Sequence, residues 1–340
     1  MAHPTPERIL QTGMAFWSSK ALLSAVELGL FTALADGPLS AEQLRDRLGL
    51  HPRAVPDFPD ALLALGFLER EGEGEAATYR NSEDTQAFLD RRSPRYVGGL
   101  LEMANARLYP FWGDLTEALR TGRPQNEIKH TGEPMFVKLY EDPARLEQFM
   151  AAMSGISAGN FAQLAERFDF RPYRTLADIG GATGQLACTV AARHAHLACT
   201  TLDLPAVTEI ARRHIEARGL ADRVQARAID FFADPFPAAD VITMGMILHD
   251  WNLEKKLLLL RKAHEALPEG GCLIAVDHVI DDARRRNAFG LLMSLNMLIE
   301  FGDAFDYTGA DFDRWAREVG FRRTELLPLA GPASAAVAHK

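Results

Sequence analysis

The chain has 340 residues, 47% of them hydrophobic and 24% charged, which is typical of a globular protein whose length favours two domains. The net charge of −9 argues against nucleic acid or an anionic membrane as a partner. The longest apolar run, from Ala288 to Ile299, is shorter than the ~18 residues that cross a bilayer, and charges interrupt the amino-terminal apolar stretches, so we expect a cytoplasmic protein.

Residues 1–95 carry the pattern of a winged helix. Apolar residues recur at helical spacing from Ala21 to Leu34, which predicts an amphipathic helix. A capping box at Ser40 begins a second helix, which should end at Gly49. A third helix is predicted over Pro52 to Leu65, and the Gly- and Glu-rich stretch from Glu69 to Arg80 predicts a hairpin-like wing.

The charges of this segment argue against binding to DNA. It contains ten Lys or Arg residues and fourteen Asp or Glu residues, whereas a helix in the major groove needs positive charge facing the phosphates. Its third helix carries Asp57 and Asp60 beside Arg53. Because Phe16 and Trp17 precede an apolar first helix, we predict a dimerisation domain.

Residues 96–168 have a helical pattern rich in aromatic side chains. We interpret this region as a helical linker, part of which lines the site of a substrate. The candidates for substrate contacts in it are Met103, Trp112 and Met153.

Residues 169–340 alternate short apolar runs with helical segments. This alternation predicts a Rossmann-like, doubly wound parallel sheet with helices on both faces, and ligands of such sheets bind beyond the carboxyl ends of the strands. The predicted strands are Leu176–Ile179, Cys199–Leu202, Ala226–Ile229, Val241–Met246 and Cys272–Val276.

A glycine-rich loop follows the first of these strands. The dinucleotide fingerprint fails because Ala182 and Gln185 stand where glycines are needed, and no G-K-[ST] phosphate loop is present. The pattern D-x-G-G-x-x-G instead resembles the S-adenosylmethionine loop of class I methyltransferases. The resemblance implies a cofactor site that includes Asp178, Gly180, Gly181 and Gly184.

The next two strand ends extend this pattern. Asp203 and Leu204 follow the second strand, where an acidic residue can accept hydrogen bonds from both ribose hydroxyls. Asp230, Phe231 and Phe232 follow the third strand and offer an acceptor and an aromatic face to an adenine. Together these residues predict binding of S-adenosyl-L-methionine.

The fourth strand runs into His249-Asp250-Trp251. With the winged-helix segment, D-L-P and the glycine loop, this H-D-W motif resembles the small-molecule O-methyltransferases, which include caffeic acid, acetylserotonin and bacterial polyketide-tailoring enzymes. The resemblance implies a homodimer of secondary metabolism that methylates an aromatic hydroxylated small molecule. It also implies His249 as general base, with acids at Asp277 and Asp306. We interpret Trp251 as a residue that covers the adenine or packs in the core.

Residues Gly290 to Glu300 are predicted to form a helix on the acceptor side, with Met293, Asn296 and Met297 as candidate pocket residues. One departure from the family pattern is Ala182, which replaces a glycine and is tolerable if its backbone angles are ordinary. Two alternatives stay open: a same-fold enzyme that methylates N or C or catalyses another reaction, and a ligand-sensing winged-helix regulator.

Overall fold

The computed structural model describes residues 4–93, 95–132 and 143–340. The chain divides into two compact units, Met1–Pro110 and Phe111–Lys340. Within the described ranges, no helix is both long enough and apolar enough to cross a membrane.

The first unit is mainly helical with a small three-stranded sheet in the order β1-β3-β2. Its elements are α1 (Glu7–Glu27), α2 (Leu30–Leu34), β1 (Leu39–Ser40), α3 (Ala41–Leu48), a 3-10 turn (Pro52–Ala54), α4 (Asp57–Ala64), β2 (Leu68–Glu71), a 3-10 turn (Gly74–Ala76), β3 (Thr78–Asn81), α5 (Glu83–Phe88), α6 (Gly98–Met103), a π-helical turn (Ala104–Leu108) and α7 (Tyr109–Trp112), which extends past the boundary.

The predicted wing and second helix are confirmed. β2 and β3 pair antiparallel, and the Ser40 side chain accepts a hydrogen bond from the Gln43 backbone while Gln43 caps in return. Gly49 ends α3 in the left-handed conformation, which glycine adopts without steric cost.

Two other helix predictions need correction. The helix expected from Ala21 to Leu34 is two helices, because Gly29 between them has φ +72°. The first of them begins earlier than expected, at Glu7, so Phe16 and Trp17 lie within it and not before it. The helix expected over Pro52–Leu65 begins as a 3-10 turn, and its α-helical part starts only at Asp57. Periodicity in apolar residues continues across both breaks, so the pattern alone could not locate them.

The second unit contains a seven-stranded sheet in the order β6-β5-β4-β7-β8-β10-β9. Its elements are α8 (Leu115–Thr121), α9 (Glu127–Thr131), α10 (Pro143–Arg167), β4 (Thr175–Ile179), α11 (Gln185–Arg193), β5 (Ala198–Asp203), α12 (Pro205–Ala217), β6 (Val224–Ala228), β7 (Val241–Gly245), a 3-10 turn (Leu248–Asp250), α13 (Leu253–Ala266), β8 (Cys272–Asp277), α14 (Ala288–Phe301), α15 (Gly309–Glu318), β9 (Arg323–Pro328) and β10 (Ser334–His339).

The sheet is parallel from β6 to β8, as the alternating pattern predicts. Its middle strands are buried on both faces; every residue of β8 is buried. The chain reverses its winding beside β4, since β5 pairs with one edge of β4 and β7 with the other. A ligand crevice is expected at the carboxyl ends of these strands.

The antiparallel strands β10 and β9 complete the sheet and were not predicted. β10 reads Ser-Ala-Ala-Val-Ala-His, and alanine is depleted in strands in general. It pairs along its whole length with β8, so tertiary pairing rather than local preference stabilises it.

Candidate active site

The loop after β4 is shaped for close contact with a ligand. The backbone N–H groups of Gly180 and Gly181 donate to the Leu202 carbonyl at 2.8 and 3.2 Å, which folds the loop back over β5. A Cβ at Gly181 would lie 2.6 Å from Asp178 Oδ2, and one at Gly180 would lie 2.4 Å from Ile247 Cδ1. Neither position therefore accepts a side chain without rearrangement.

Gly184 ends this loop at the amino terminus of α11. It has φ +74° and precedes Gln185, the first helical residue. Free N–H groups and the helix dipole favour negative charge there. The loop can thus receive the carboxylate of an amino-acid-like ligand.

Asp178 lies inside β4, beneath the glycines. Its side chain is buried, and Oδ1 accepts a hydrogen bond of 2.8 Å from Thr243 Oγ1. Oδ2 has no hydrogen-bond partner among the described residues. Burial raises the pKa of Asp178 to about 7, because a carboxylate loses its hydration there.

Asp203, at the end of β5, ties the glycine loop to the neighbouring strand. Its Oδ2 accepts a hydrogen bond from the Ala182 N–H at 2.9 Å, and Oδ1 accepts one from the Leu204 N–H at 2.8 Å. Burial raises the pKa of Asp203. Each carboxylate oxygen retains acceptor capacity for a ligand hydroxyl.

Ala182 does not have the ordinary backbone angles that would make it an easy replacement for glycine. Its φ is +50°, in the left-handed region that costs an L-residue about 1–2 kcal/mol. The Ala182 N–H bond to Asp203 offsets part of this cost. Strain of this kind is common where a loop is held for binding.

Three aromatic rings lie together beyond β6 and β7. Phe231 and Phe232 meet edge to face at 4.8 Å, and Phe232 packs at 4.7 Å against Trp251. Asp230 is exposed two residues past the end of β6, and its Oδ1 accepts backbone N–H bonds from Phe232 and Ala233. The aromatic cluster offers a flat apolar surface to a heterocycle, while Asp230 shapes the turn.

His249 lies in the 3-10 turn after β7 and is only 4% exposed. Its Nε2 is 3.3 Å from Asp250 Oδ1, and its Nδ1 is 3.5 Å from Asp306 Oδ1. Asp277 ends β8 nearby and is fully buried. The structure therefore brings together all three residues predicted to be catalytic.

In this cluster, burial and the neighbouring charges shift the pKa values in opposite directions. Burial alone would lower the pKa of His249, but Asp250, Asp306 and Asp277 outweigh that effect and raise the pKa well above its usual value. Burial raises the pKa of Asp277 to about 7, against the opposing effect of His249. The carboxylates thus favour the imidazolium form of His249.

Two functional candidates in this cluster were missed from the sequence. The Tyr307 hydroxyl donates to Asp277 Oδ2 at 2.6 Å, and Lys256 is fully buried in the first turn of α13. The lysine could have been noticed as a charge at the start of the run K-K-L-L-L-L. Tyr307 gives no such signal, because its partner is 30 residues away.

The predicted substrate residues fall in different places. Trp112 Nε1 donates to Asn296 Oδ1 at 2.9 Å within the second unit. Met293 is half-buried on α14, whereas Met297 is buried in the protein interior. Met103 ends α6 in the first unit, and the Met153 side chain lies outside the described residues. The hydrogen bond between Trp112 and Asn296 thus joins two of these candidates.

A glycine loop, an acidic residue after β5 and a histidine after β7, all at one edge of a doubly wound sheet, define an S-adenosylmethionine-dependent methyltransferase. The chain belongs to the O-methyltransferase family: the O-methyltransferase domain matches residues 112–322, and the O-methyltransferase dimerisation domain matches residues 10–91. Its cofactor is S-adenosylmethionine.

Similarity to individual proteins extends over nearly the whole chain. The tetracenomycin polyketide synthesis 8-O-methyl transferase TcmO of Streptomyces glaucescens is 43% identical over 98% of this chain and 97% of its own. The N,N-dimethyltransferase OxyT of Streptomyces rimosus is 40% identical over 92% and 90%.

Among solved structures, the O-methyltransferase NcsB1 from neocarzinostatin biosynthesis matches with a TM-score of 0.79 and 25% identity, over 100% of this chain and 99% of its own. That structure contains S-adenosylmethionine and 2-hydroxy-5-methyl naphthoic acid. The fold class and the cofactor predicted from the sequence are thus confirmed, together with an S-adenosylmethionine-dependent O-methyltransferase.

Proposed function

We propose that this protein transfers a methyl group from S-adenosylmethionine to a hydroxyl of an aromatic small molecule, with His249 as the general base. The observation that carries the proposal is the burial of His249 between Asp250 and Asp306. When bound, the cofactor supplies an electrophilic methyl group on a sulfonium. The chain's own residues then have to position the acceptor and take up its proton.

The carboxylates around His249 suit this role. A phenol in water titrates near ~10 and a free imidazole near ~6.5, so an unassisted histidine is a weak base for a phenol. The carboxylates raise the pKa of His249, so the neutral imidazole, once formed, is a stronger base toward a phenol than a free histidine. Asp306 beside Nδ1 also orients the ring when Nδ1 carries the proton, and Nε2 is then the nitrogen that accepts.

Residues on α14 and near α7 support an aromatic acceptor. The Asn296 amide is oriented by the Trp112 indole, so its Nδ2 is left to donate to a carbonyl or hydroxyl, and the indole gives a flat wall. The naphthoic acid bound by NcsB1 belongs to the same class of acceptor. Pocket roles for Met103, Met153, Met293 and Met297 stay predictions, as do the cofactor contacts of Asp178, Asp230 and Trp251.

The direct test is incubation of the protein with methyl-labelled cofactor and a panel of polycyclic aromatic compounds. Each compound is offered in a hydroxyl form and a matched amino form, and products are located by mass spectrometry. We expect label on oxygen of the hydroxyl compounds. Transfer to the amino compounds alone would contradict the proposal and favour N-methylation, for which the 40% identity with OxyT is the supporting observation.

Asp203 gives a prediction for the cofactor. Replacing it with Ala should weaken S-adenosylmethionine binding at least ~10-fold, since hydrogen bonds to a charged acceptor contribute about 1.5–3 kcal/mol. It also removes the acceptor of the Ala182 N–H. Calorimetric titration measures the affinity, with exposed Asp222→Ala as the matched control. Unchanged affinity in Asp203→Ala would remove this residue from the cofactor site.

We also propose that the protein is a homodimer assembled through the first unit. Phe16 and Trp17 on α1 are 50% and 64% exposed, and Ile9 and Leu10 are 73% and 60% exposed, which is unusual for a folded monomer. Light scattering should give twice the chain mass of 37.5 kDa. A monomer at micromolar concentration with full activity would contradict this assembly.

The domain boundaries at residues 95 and 168 and the cytoplasmic location stay predictions.

A further inference from the structure

Lys256 is a buried cation that has no role in the methyl transfer proposed above. Its side chain is fully buried, although a lysine is almost never buried without partners. The Nζ donates hydrogen bonds to two backbone carbonyls, those of Trp251 and Phe305, the latter at 2.8 Å. It also lies 3.6 Å from the centroid of the Phe305 ring, in a cation–π contact.

The two carbonyls belong to the segments that carry the partners of His249. Trp251 follows Asp250, and Phe305 precedes Asp306. One ammonium group thus joins the turn after β7 to the segment after α14. These are the two segments that place a carboxylate on either side of the imidazole.

Lys256 also faces the same negative charges as His249. Burial lowers the pKa of the Lys256 amine, whereas Asp277, Asp306, Asp250 and Asp303 raise it and so favour its charged form. Other titratable groups surround Lys256 and His249, and they come from four places: the turn after β7, the end of β8, α14 and the segment that follows α14. These groups are Asp250, Asp277, His278, Glu300, Asp303, Asp306 and Tyr307.

We propose that Lys256 is a positioning residue that holds Asp250 and Asp306 on either side of His249 and, by its positive charge, opposes uptake of a proton by this cluster. Without that charge, the three carboxylates Asp250, Asp277 and Asp306 face one cation instead of two. The cluster then binds its next proton more tightly, and the neutral imidazole needed as a base forms only at higher pH. This role rests on the proposed function of His249.

The first test compares kcat/KM against pH for the wild type, Lys256→Met and Lys256→Gln. Methionine keeps the length of the side chain, and glutamine keeps a hydrogen-bond donor, but both remove the charge. We expect the acid limb of both variants to move up by about one pH unit, so that the rate on that limb falls ~10-fold. Lys256→Arg should keep the limb where the wild type has it.

Lys340→Met is the matched control. Lys340 Nζ also donates to two backbone carbonyls, those of His264 and Leu267 at 2.6 and 2.7 Å. These carbonyls lie at the carboxyl end of α13, whereas Lys256 lies near its amino end. This variant should lose stability and keep the pH profile. A uniform loss of rate in Lys256→Met and Lys256→Gln, with the limb unmoved, would overturn the electrostatic role.

A second measurement leaves Lys256 in place and does not depend on activity. Coupling between two titrating sites is reciprocal, so His249→Gln, which removes the neighbouring cation, should move the titration of the Lys256 amine to higher pH. NMR of labelled lysine side chains measures it. No movement overturns the inference. A wild-type profile without any acid limb would instead contradict the proposed base, so the two failures are distinguishable.

Discussion

His249→Gln should lower kcat by ~10²–10⁴-fold, the range that a positioned general base contributes. Glutamine keeps a polar side chain of similar size in the cavity but cannot take the proton of the acceptor hydroxyl. Affinity for S-adenosylmethionine should stay nearly unchanged, because His249 is bounded by Asp250 and Asp306 rather than by the glycine loop. Steady-state rates and calorimetry on the same preparations measure the two effects.

The pH dependence separates a base from a residue that only shapes the pocket. If His249 is the base, the rate of the variant should rise with pH as the acceptor ionises by itself. A uniform loss at every pH would contradict the assignment, as would activity abolished by a chelator and restored by magnesium. His196→Gln is a suitable control, since that ring bonds to the Phe170 carbonyl, outside the cluster.

The site could be predicted from the sequence where its residues follow strand ends. Asp203, His249 and Asp277 each end a strand or follow one within a few residues, and parallel strands bring such positions to one edge. Asp306 was placed only through the family resemblance, because it lies in a segment between α14 and α15. No rule of periodicity leads to that position.

Features that depend on contacts across the chain could not be predicted. The left-handed angle of Ala182 accompanies a bond from its N–H to Asp203, 21 residues later. The burial of Lys256 depends on a carbonyl 49 residues away. In both cases local preference gives the opposite answer, since alanine avoids positive φ and lysine favours the surface. Such conflicts are concentrated at functional sites.

Asp178→Asn should stabilise the protein by ~2–4 kcal/mol at pH 8 and have almost no effect below pH 4. Burial raises the pKa of Asp178 to about 7, above its value of ~3.9 in an unfolded chain. The folded state therefore binds this proton more tightly. The stabilisation of the folded state by this proton is fully present below about pH 4 and is lost as pH rises through about 7.

Asparagine has the same shape, still accepts from Thr243 Oγ1 and carries no charge to desolvate. Urea unfolding at pH 4, 6 and 8 should show the difference between variant and wild type growing with pH, whereas exposed Asp222→Asn should show none. An equal stability at pH 8 would mean that the ionised Asp178 is already compensated. If the variant is more stable but binds S-adenosylmethionine less tightly, the buried charge is retained for binding at a cost in stability.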